Sequence, residues 1–238
     1  MRGIFSVVAL VALLVTNVFA QIHIGIDIPA YGSYSVNSVP AAFVTTKSSG
    51  GFGYDLGAGV FVQPSATLKF KAGFHVWNKI FEPSQTGPFV IDEVEFSGRV
   101  EEQGVIKYSG LYLLASYEQE KFFAGGGLDI AFSKSYKANV TAYDDNGSVI
   151  ASGMDLDRSF LTDDFTNQID FIFHIGYILP LGKQLSFRPQ AQVALPLEPL
   201  FNTGVRVYNP YTGLREEAEF NIALIKIGMT VEFIVKSK

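Results

Sequence analysis

Apolar and polar residues alternate with a period of two through most of this chain, which is the signature of strands with two unlike faces. Ile22, Ile24, Ile26 and Ile28 alternate with His23, Gly25 and Asp27, and Leu68, Phe70, Ala72, Phe74 and Val76 with Lys69, Lys71, Gly73 and His75. The same rhythm predicts strands at 22–34, 51–62, 67–78, 120–133, 167–179, 184–197 and 221–235. An eighth, 105–117, is read from its β-branched and aromatic content, because Leu111, Tyr112, Leu113 and Leu114 make both its faces apolar.

The connections alternate too. Short turns are predicted at Gln63-Pro64-Ser65, around Glu118-Gln119 and at Pro180-Leu181-Gly182-Lys183. Long segments fall at 35–50, 79–104, 134–166 and 198–219 and are expected to be exposed loops without regular structure. Eight strands in an up-and-down order would then have all short turns, and both termini, at one end and all long loops at the other. The predicted fold is all-β: an eight-stranded antiparallel up-and-down transmembrane β-barrel with short periplasmic turns and long extracellular loops.

One face of the strands carries His23, Asp27, Asp55, Lys69, Lys71, His75, Asp129, Asp170, His174, Arg188, Gln190, Gln192, Lys226 and Glu232. The other face is almost uncharged. Alternation alone does not say which face is inside. The apolar face is continuous and aromatic-rich, many polar-face positions are glycine, and the charges are few and of mixed sign. Lys69 and Lys71 facing lipid near the midplane would cost about 2–4 kcal/mol each. The polar set is therefore assigned to the lumen as a structural network. Trp77 and Tyr108 are expected in an outer interfacial girdle, and Tyr117, Phe122 and Phe233 in an inner one.

Composition agrees. Apolar residues make up 48% of the chain and aromatics 14%, with 23 glycines, yet no stretch after residue 20 is apolar for long enough to be a spanning helix. Arg2, the apolar run Ile4 to Val15 and the small residues of Val18-Phe19-Ala20 predict a signal peptide over 1–20, cleaved after Ala20, with the barrel at 21–238. The absence of cysteine excludes disulfides, thiol chemistry and a lipoprotein anchor. A net charge of −5 without a basic cluster argues against nucleic acid.

The chain resembles the small bacterial outer-membrane proteins of the porin-like "outer membrane protein beta-barrel domain" group, common in Bacteroidetes-type bacteria and including PorT-like proteins. The resemblance rests on the glycine-spaced hairpin from Phe52-Gly53-Tyr54-Asp55 to Ala72-Gly73-Phe74, on Phe122-Phe123-Ala124-Gly125-Gly126-Gly127, and on the last strand Ile227-Gly228-Met229-Thr230-Val231-Glu232-Phe233. It covers nearly all of 21–238. It implies the cell outer membrane as location, delivery by the barrel-assembly machinery, and outer-membrane lipid and lipopolysaccharide as neighbours of a monomer. Such proteins often end on an aromatic residue, whereas here Phe233 is followed by Ile-Val-Lys-Ser-Lys.

An eight-stranded barrel is just wide enough for its own side chains, so a diffusion pore is not expected. His23, His75 and His174 read as members of the lumen network, with no metal or other cofactor implied. An outer-membrane lipid-modifying enzyme would need a serine or carboxylate beside a histidine. Ser186 and Asp170 are on the right face, but nothing singles them out. Asp144-Asp145-Asn146-Gly147 with Asp155 and Asp157 lacks the ligand spacing of a calcium loop and reads as a turn. Segment 79–104, with Glu82, Asp92, Glu93, Glu95, Glu101 and Glu102, reads as an acidic solvated loop. The expected function is non-enzymatic: binding, envelope integrity or support of a transport or secretion assembly through the loops. The alternatives are a narrow solute-specific channel, the lipid-modifying enzyme, and a soluble ligand-binding barrel.

Overall fold

The computed structural model describes residues 22–38, 50–82, 84–91, 94–153, 162–209, 214–217 and 220–237. The signal-peptide reading of 1–20 lies outside these residues, as do Asp92, Glu93, Asp155 and Asp157. In chain order the strands are β1 (His23–Ser38), β2 (Phe52–Gln63), β3 (Leu68–Phe81), β4 (Ser84–Ile91), β5 (Val94–Gln119), β6 (Phe122–Asp144), β7 (Val149–Gly153), β8 (Gln168–Tyr177), β9 (Leu179–Pro180), β10 (Leu185–Pro196), β11 (Arg206–Asn209), β12 (Leu214–Glu217) and β13 (Asn221–Ser237).

Eight of them, β1, β2, β3, β5, β6, β8, β10 and β13, pair antiparallel with their neighbours in that order. The ring closes where β1 meets β13, from His23 opposite Ser237 to Ser38 opposite Asn221. Closure leaves no free edge within the barrel. The turns at one end are short, and Glu120, in the Glu120–Lys121 turn, takes the left-handed φ of 52° that a tight hairpin requires.

The polarity of the barrel is inverted relative to a soluble one. Phe70, Phe74, Leu113, Phe173 and Ile227 point outward and are 47–69% exposed, while Asp129 and Lys226 inside are 0–1% exposed. A soluble ligand-binding barrel would carry its apolar face inside, so that alternative is overturned. On β6 the outward residues run from Phe122 to Phe132. Ten steps of about 3.4 Å, tilted at about 40°, span roughly 26 Å, close to the ~25 Å apolar band of a membrane barrel. Strand β5, ambiguous in sequence, turns Leu111 and Leu113 to lipid and Tyr112 and Leu114 inward.

Two expectations are corrected. First, segments 79–104 and 134–166 are not structureless loops. β5 and β6 run on past the barrel and, with β4 and β7 at their sides, form a four-stranded sheet beyond it. A bulge hides this in the sequence. Lys107 lies opposite Ser135 and Tyr108 opposite Ser133, so Lys134 is the extra residue. Below it the odd residues of β6 face inward (Phe123, Asp129, Ala131), and above it the even ones do (Tyr136, Ala138, Val140, Ala142). Segment 198–219 likewise contains the β11–β12 hairpin, and β1 carries strand structure on to Ser38.

Second, Trp77 and Tyr108 are not girdle residues. Both are 1% exposed, and they stand opposite each other in the β3–β5 register. Trp77 shares its phase with Lys69, Lys71 and His75, and phase outweighs residue type. Tyr117, Phe122 and Phe233 do face outward at the short-turn end. Aromatic pairs mark both ends of the belt: Tyr34 with Phe52 on the long-loop side and Phe122 with Tyr177 on the other.

Candidate functional site

The alternation that turns leucine and phenylalanine to lipid brings the polar residues of all eight strands into one lumen. Thirteen of the fourteen expected lumen residues are buried there: Asp27, Asp55, Lys69, Lys71, His75, Asp129, Asp170, His174, Arg188, Gln190, Gln192, Lys226 and Glu232. His23 is the exception, half-buried at the start of β1 opposite Gln63. It stands at the periplasmic rim, apart from the network.

The network is layered. Nearest the short turns, Glu232 meets Lys69 at 2.7 Å, Lys71 at 2.5 Å and the Arg188 Nε at 2.7 Å. Glu118 accepts two bonds from the Arg188 guanidinium, at 2.7 and 3.1 Å, and pairs with Lys69 at 3.0 Å. The two-pronged Arg188–Glu118 pair fixes orientation as well as charge.

At mid-barrel His75 bridges two carboxylates, with Nδ1 at 2.8 Å from Asp55 and Nε2 at 2.9 Å from Asp129. With both carboxylates ionised, each accepts from a ring nitrogen and the ring between them is an imidazolium. Lys226 Nζ closes the group at 2.6 Å from Asp55. Asp27 accepts from the Tyr112 hydroxyl at 2.8 Å. Glycine makes room for that bond: a Cβ on Gly59 or Gly73 would come within 2.2 or 2.4 Å of the Tyr112 oxygen. Above, Lys79 pairs with Asp170 at 3.1 Å and donates to Gln168. With His75 charged, the lumen cations Lys69, Lys71, His75, Lys79, Arg188 and Lys226 equal in number the carboxylates Asp27, Asp55, Glu118, Asp129, Asp170 and Glu232. A buried charge without a partner is costly; five of these six carboxylates are ion-paired, and Asp27 is held by the Tyr112 hydroxyl instead.

Over the top layer the lumen turns apolar. Trp77 stacks on His75 at 3.9 Å and lies 5.8 Å from Tyr108, with Lys226 and Lys79 against the faces of these two rings. Above them Ile106, Tyr136, Ile222 and Leu224 meet Phe165, Leu200, Phe201 and Phe220, which come from the segments between strands. Phe165 and Phe201 are joined by a β-bridge, and their rings lie 5.2 Å apart. The long-loop end of the barrel is thus stoppered by a packed apolar cap.

A mid-barrel cavity between Asp27, Tyr31, Lys71, His174, Gln190 and Gln192 is about 20 Å³, and a wider pocket of about 160 Å³ at the short-turn end reaches Lys69, Arg188 and Glu232. The first is too small for a solute and on the scale of a single water molecule. His174 faces it with neither ring nitrogen bonded to any described residue, and so does one oxygen of Asp27. Among the described residues the lumen is packed with side chains from the Lys71 level up to the apolar cap. No group of histidines and carboxylates among the described residues has the arrangement of a metal site.

The structure adds members that the periodicity leaves out. Glu118 and Lys79 lie one residue past the predicted strand ends, yet keep the phase of the buried face, and extending the alternation would have found them. Tyr31, Tyr112 and Thr230 bond within the lumen, Tyr31 to Thr230 at 3.0 Å, although residue type alone would place tyrosine at an interface. Asp144 accepts from the backbone of Asn146 at 2.9 Å and of Ser148 at 2.7 Å, so the calcium candidate is the β6–β7 turn.

No family model matches the chain, and no curated protein matches it. Among solved structures, Neisserial surface protein A is 8% identical over 90% of this chain and 96% of its own, with a TM-score of 0.40. The attachment invasion locus protein Ail of Yersinia pestis, in complex with the heparin analogue sucrose octasulfate, is 8% identical over 89% and 99%, at 0.33. The outer membrane protease OmpT from Escherichia coli is 9% identical over 91% and 97%, at 0.35. No role is carried over from them. A closed ring of eight strands, apolar outside and charged within, makes this chain a membrane-spanning β-barrel of the outer-membrane kind.

Proposed function

We propose that the protein is a non-enzymatic, monomeric outer-membrane barrel that acts through its extracellular side: in binding, in envelope integrity, or in support of a transport or secretion assembly. One observation carries this reading. The lumen is filled by paired charges and stoppered by the Phe165–Leu200–Phe201–Phe220 cap, so what is left to act is the outer surface and the β4–β7 sheet. PorT-like proteins are the group within which we place it, on the glycine-spaced hairpin and the last strand. Its partners in this reading are outer-membrane lipid and lipopolysaccharide, with the barrel-assembly machinery during biogenesis. The two enzyme candidates are engaged elsewhere: the Ser186 hydroxyl faces Glu232 at 3.5 Å, and Asp170 holds Lys79.

Planar-bilayer recording of the reconstituted barrel tests the proposal. The expected trace is the bare-bilayer background. A steady, single-size conductance would replace this reading with the narrow channel.

A further inference from the structure

Among residues whose side chains are described, the exposed cations fall in two groups. Lys121, Lys183 and Lys236 lie at the short-turn end. Arg99, Lys107, Lys134 and Lys137 lie beyond the long-loop end of the apolar belt, all on the β5–β6 pair. Arg99 is engaged with Glu101 at 3.0 Å. The three lysines have no carboxylate partner among the described residues. Lys107 stands opposite Ser135, and Lys137 is two residues further along β6, so the two are diagonal neighbours on the outward side. Lys134, the bulge residue, lies over the ring of Phe132, the last apolar residue of the belt on that strand. Three ammonium groups without a carboxylate partner among the described residues therefore stand on neighbouring positions at the depth of lipid headgroups, in a chain whose net charge is −5.

Below them lies a second feature, an apolar groove of about 420 Å³ on the lipid-facing surface that runs across β2, β3, β5 and β6, with Ala72, Ala115, Gly126 and Gly127 as the small residues along it. It reaches Leu128 on β6, six residues below Lys134. At about 3.3 Å per residue and a tilt of about 40° this is roughly 15 Å, half of the ~30 Å hydrocarbon core. Cations at the surface and a groove at the midplane, one leaflet apart on one face, match the two ends of a single lipid.

We propose that the outer face of β5–β6 is a binding site for a phosphate-bearing lipid of the extracellular leaflet, with its phosphate on Lys107, Lys134 and Lys137 and an acyl chain running past Phe132 into the groove. The inference rests on the outer-membrane reading above and names the lipid site within it.

The test uses the full barrel refolded in octyl glucoside, with phosphorylated lipid A as probe, the same lipid dephosphorylated, and inorganic phosphate as competitor. Native mass spectrometry gives the stoichiometry and a titration gives the affinity. One phosphorylated lipid per barrel is expected. Each lysine near an anionic headgroup is worth about a fivefold change in affinity, so the triple variant Lys107→Gln, Lys134→Gln, Lys137→Gln should bind about 150-fold more weakly. The triple arginine variant should bind nearly as the parent does. Ala115→Phe, which fills the groove, should weaken the lipid.

Equal binding by the triple glutamine variant, or by the dephosphorylated lipid, overturns the site. Displacement by inorganic phosphate at equal concentration, or an unaltered Ala115→Phe, overturns the assignment to a lipid. A dimer held through this face overturns it in favour of a second copy. Insertion into phosphatidylcholine vesicles, scored by heat-modifiable gel migration, separates the two readings. A chain that fails to insert defeats the outer-membrane reading itself, and one that inserts but binds no lipid defeats only this proposal.

Discussion

Glu232 is the residue on which the periplasmic layer of the lumen turns. It is 2% exposed and lies within 2.7 Å of three cations. Glu232→Gln keeps the volume and removes the charge. Lys69 and Arg188 would keep Glu118, but Lys71 has no other ion pair among the described residues and would be left buried with only Asp27, across the small cavity, to offset its charge. Breaking a buried pair from one side costs about 3–5 kcal/mol, whereas an exposed pair is worth about 0–1. The loss expected here is about 3–5 kcal/mol. Removing the orphan as well, in Glu232→Gln with Lys71→Met, should restore at least about 1 kcal/mol of it. Urea unfolding of the barrel in phosphatidylcholine vesicles gives both numbers. The assay has a built-in reporter, since the chain's single tryptophan, Trp77, is buried in the lumen against His75. Unfolding should shift its emission to the red. A loss under about 1 kcal/mol, or a double variant weaker than the single, would mean that water reaches this layer and that the buried-network account is wrong.

Two further outcomes follow from packing. Gly59→Ala places a methyl group on the Tyr112 hydroxyl and should break its bond to Asp27, leaving a carboxylate unsatisfied; a loss of about 1–3 kcal/mol in the same urea assay is expected, and an unchanged midpoint would contradict it. Deleting Lys134 removes the extra residue, so that Tyr136, Ala138, Val140 and Ala142 should continue the inward phase of Asp129 and Ala131 without a bulge. Limited proteolysis should then leave the β4–β7 extension as resistant as the parent's while the barrel keeps its heat-modifiable migration, and an extension that is cut selectively would refute the assignment of Lys134 as the extra residue.

Much of the barrel is legible in the sequence because a membrane enforces alternation more strictly than water does. Outward residues at membrane depth, such as Phe70, Phe74, Leu113, Phe173 and Ile227, must be apolar, so seven strands announce their two faces. The eighth does not, because Tyr112 and Leu114 of β5 pack inside among Ile172 and other lumen residues and blur the contrast. The sheet above the membrane is hidden for a different reason. One extra residue at Lys134 reverses the phase, and the regular run Tyr136-Ala138-Val140-Ala142 no longer continues the pattern below it. The cap is illegible altogether. Phe165, Leu200, Phe201 and Phe220 are isolated aromatic or aliphatic residues in connecting segments, and only the tertiary structure brings them together. The ion pairs are in between: alternation assigns Lys69, Lys71 and Glu232 to one face, but not which lysine meets which carboxylate. Trp77 and Tyr108 show the converse error, in which a preference of residue type is given weight that the strand phase should have carried.

The seam between β1 and β13 joins the first strand of the barrel to the last. β13 also brings Lys226, which neutralises Asp55, and Glu232, which neutralises Lys69 and Lys71. β13 adds one cation and one carboxylate, so it leaves the net charge of the lumen unchanged, but circularisation and the local pairing of Asp55, Lys69 and Lys71 with it arrive in one event. A seven-stranded precursor would have two open edges and stranded charges at once, and neither is tolerable in hydrocarbon. The chain carries its own checkpoint: an incomplete barrel is penalised by its interior as well as by its edges, and the final hairpin relieves both.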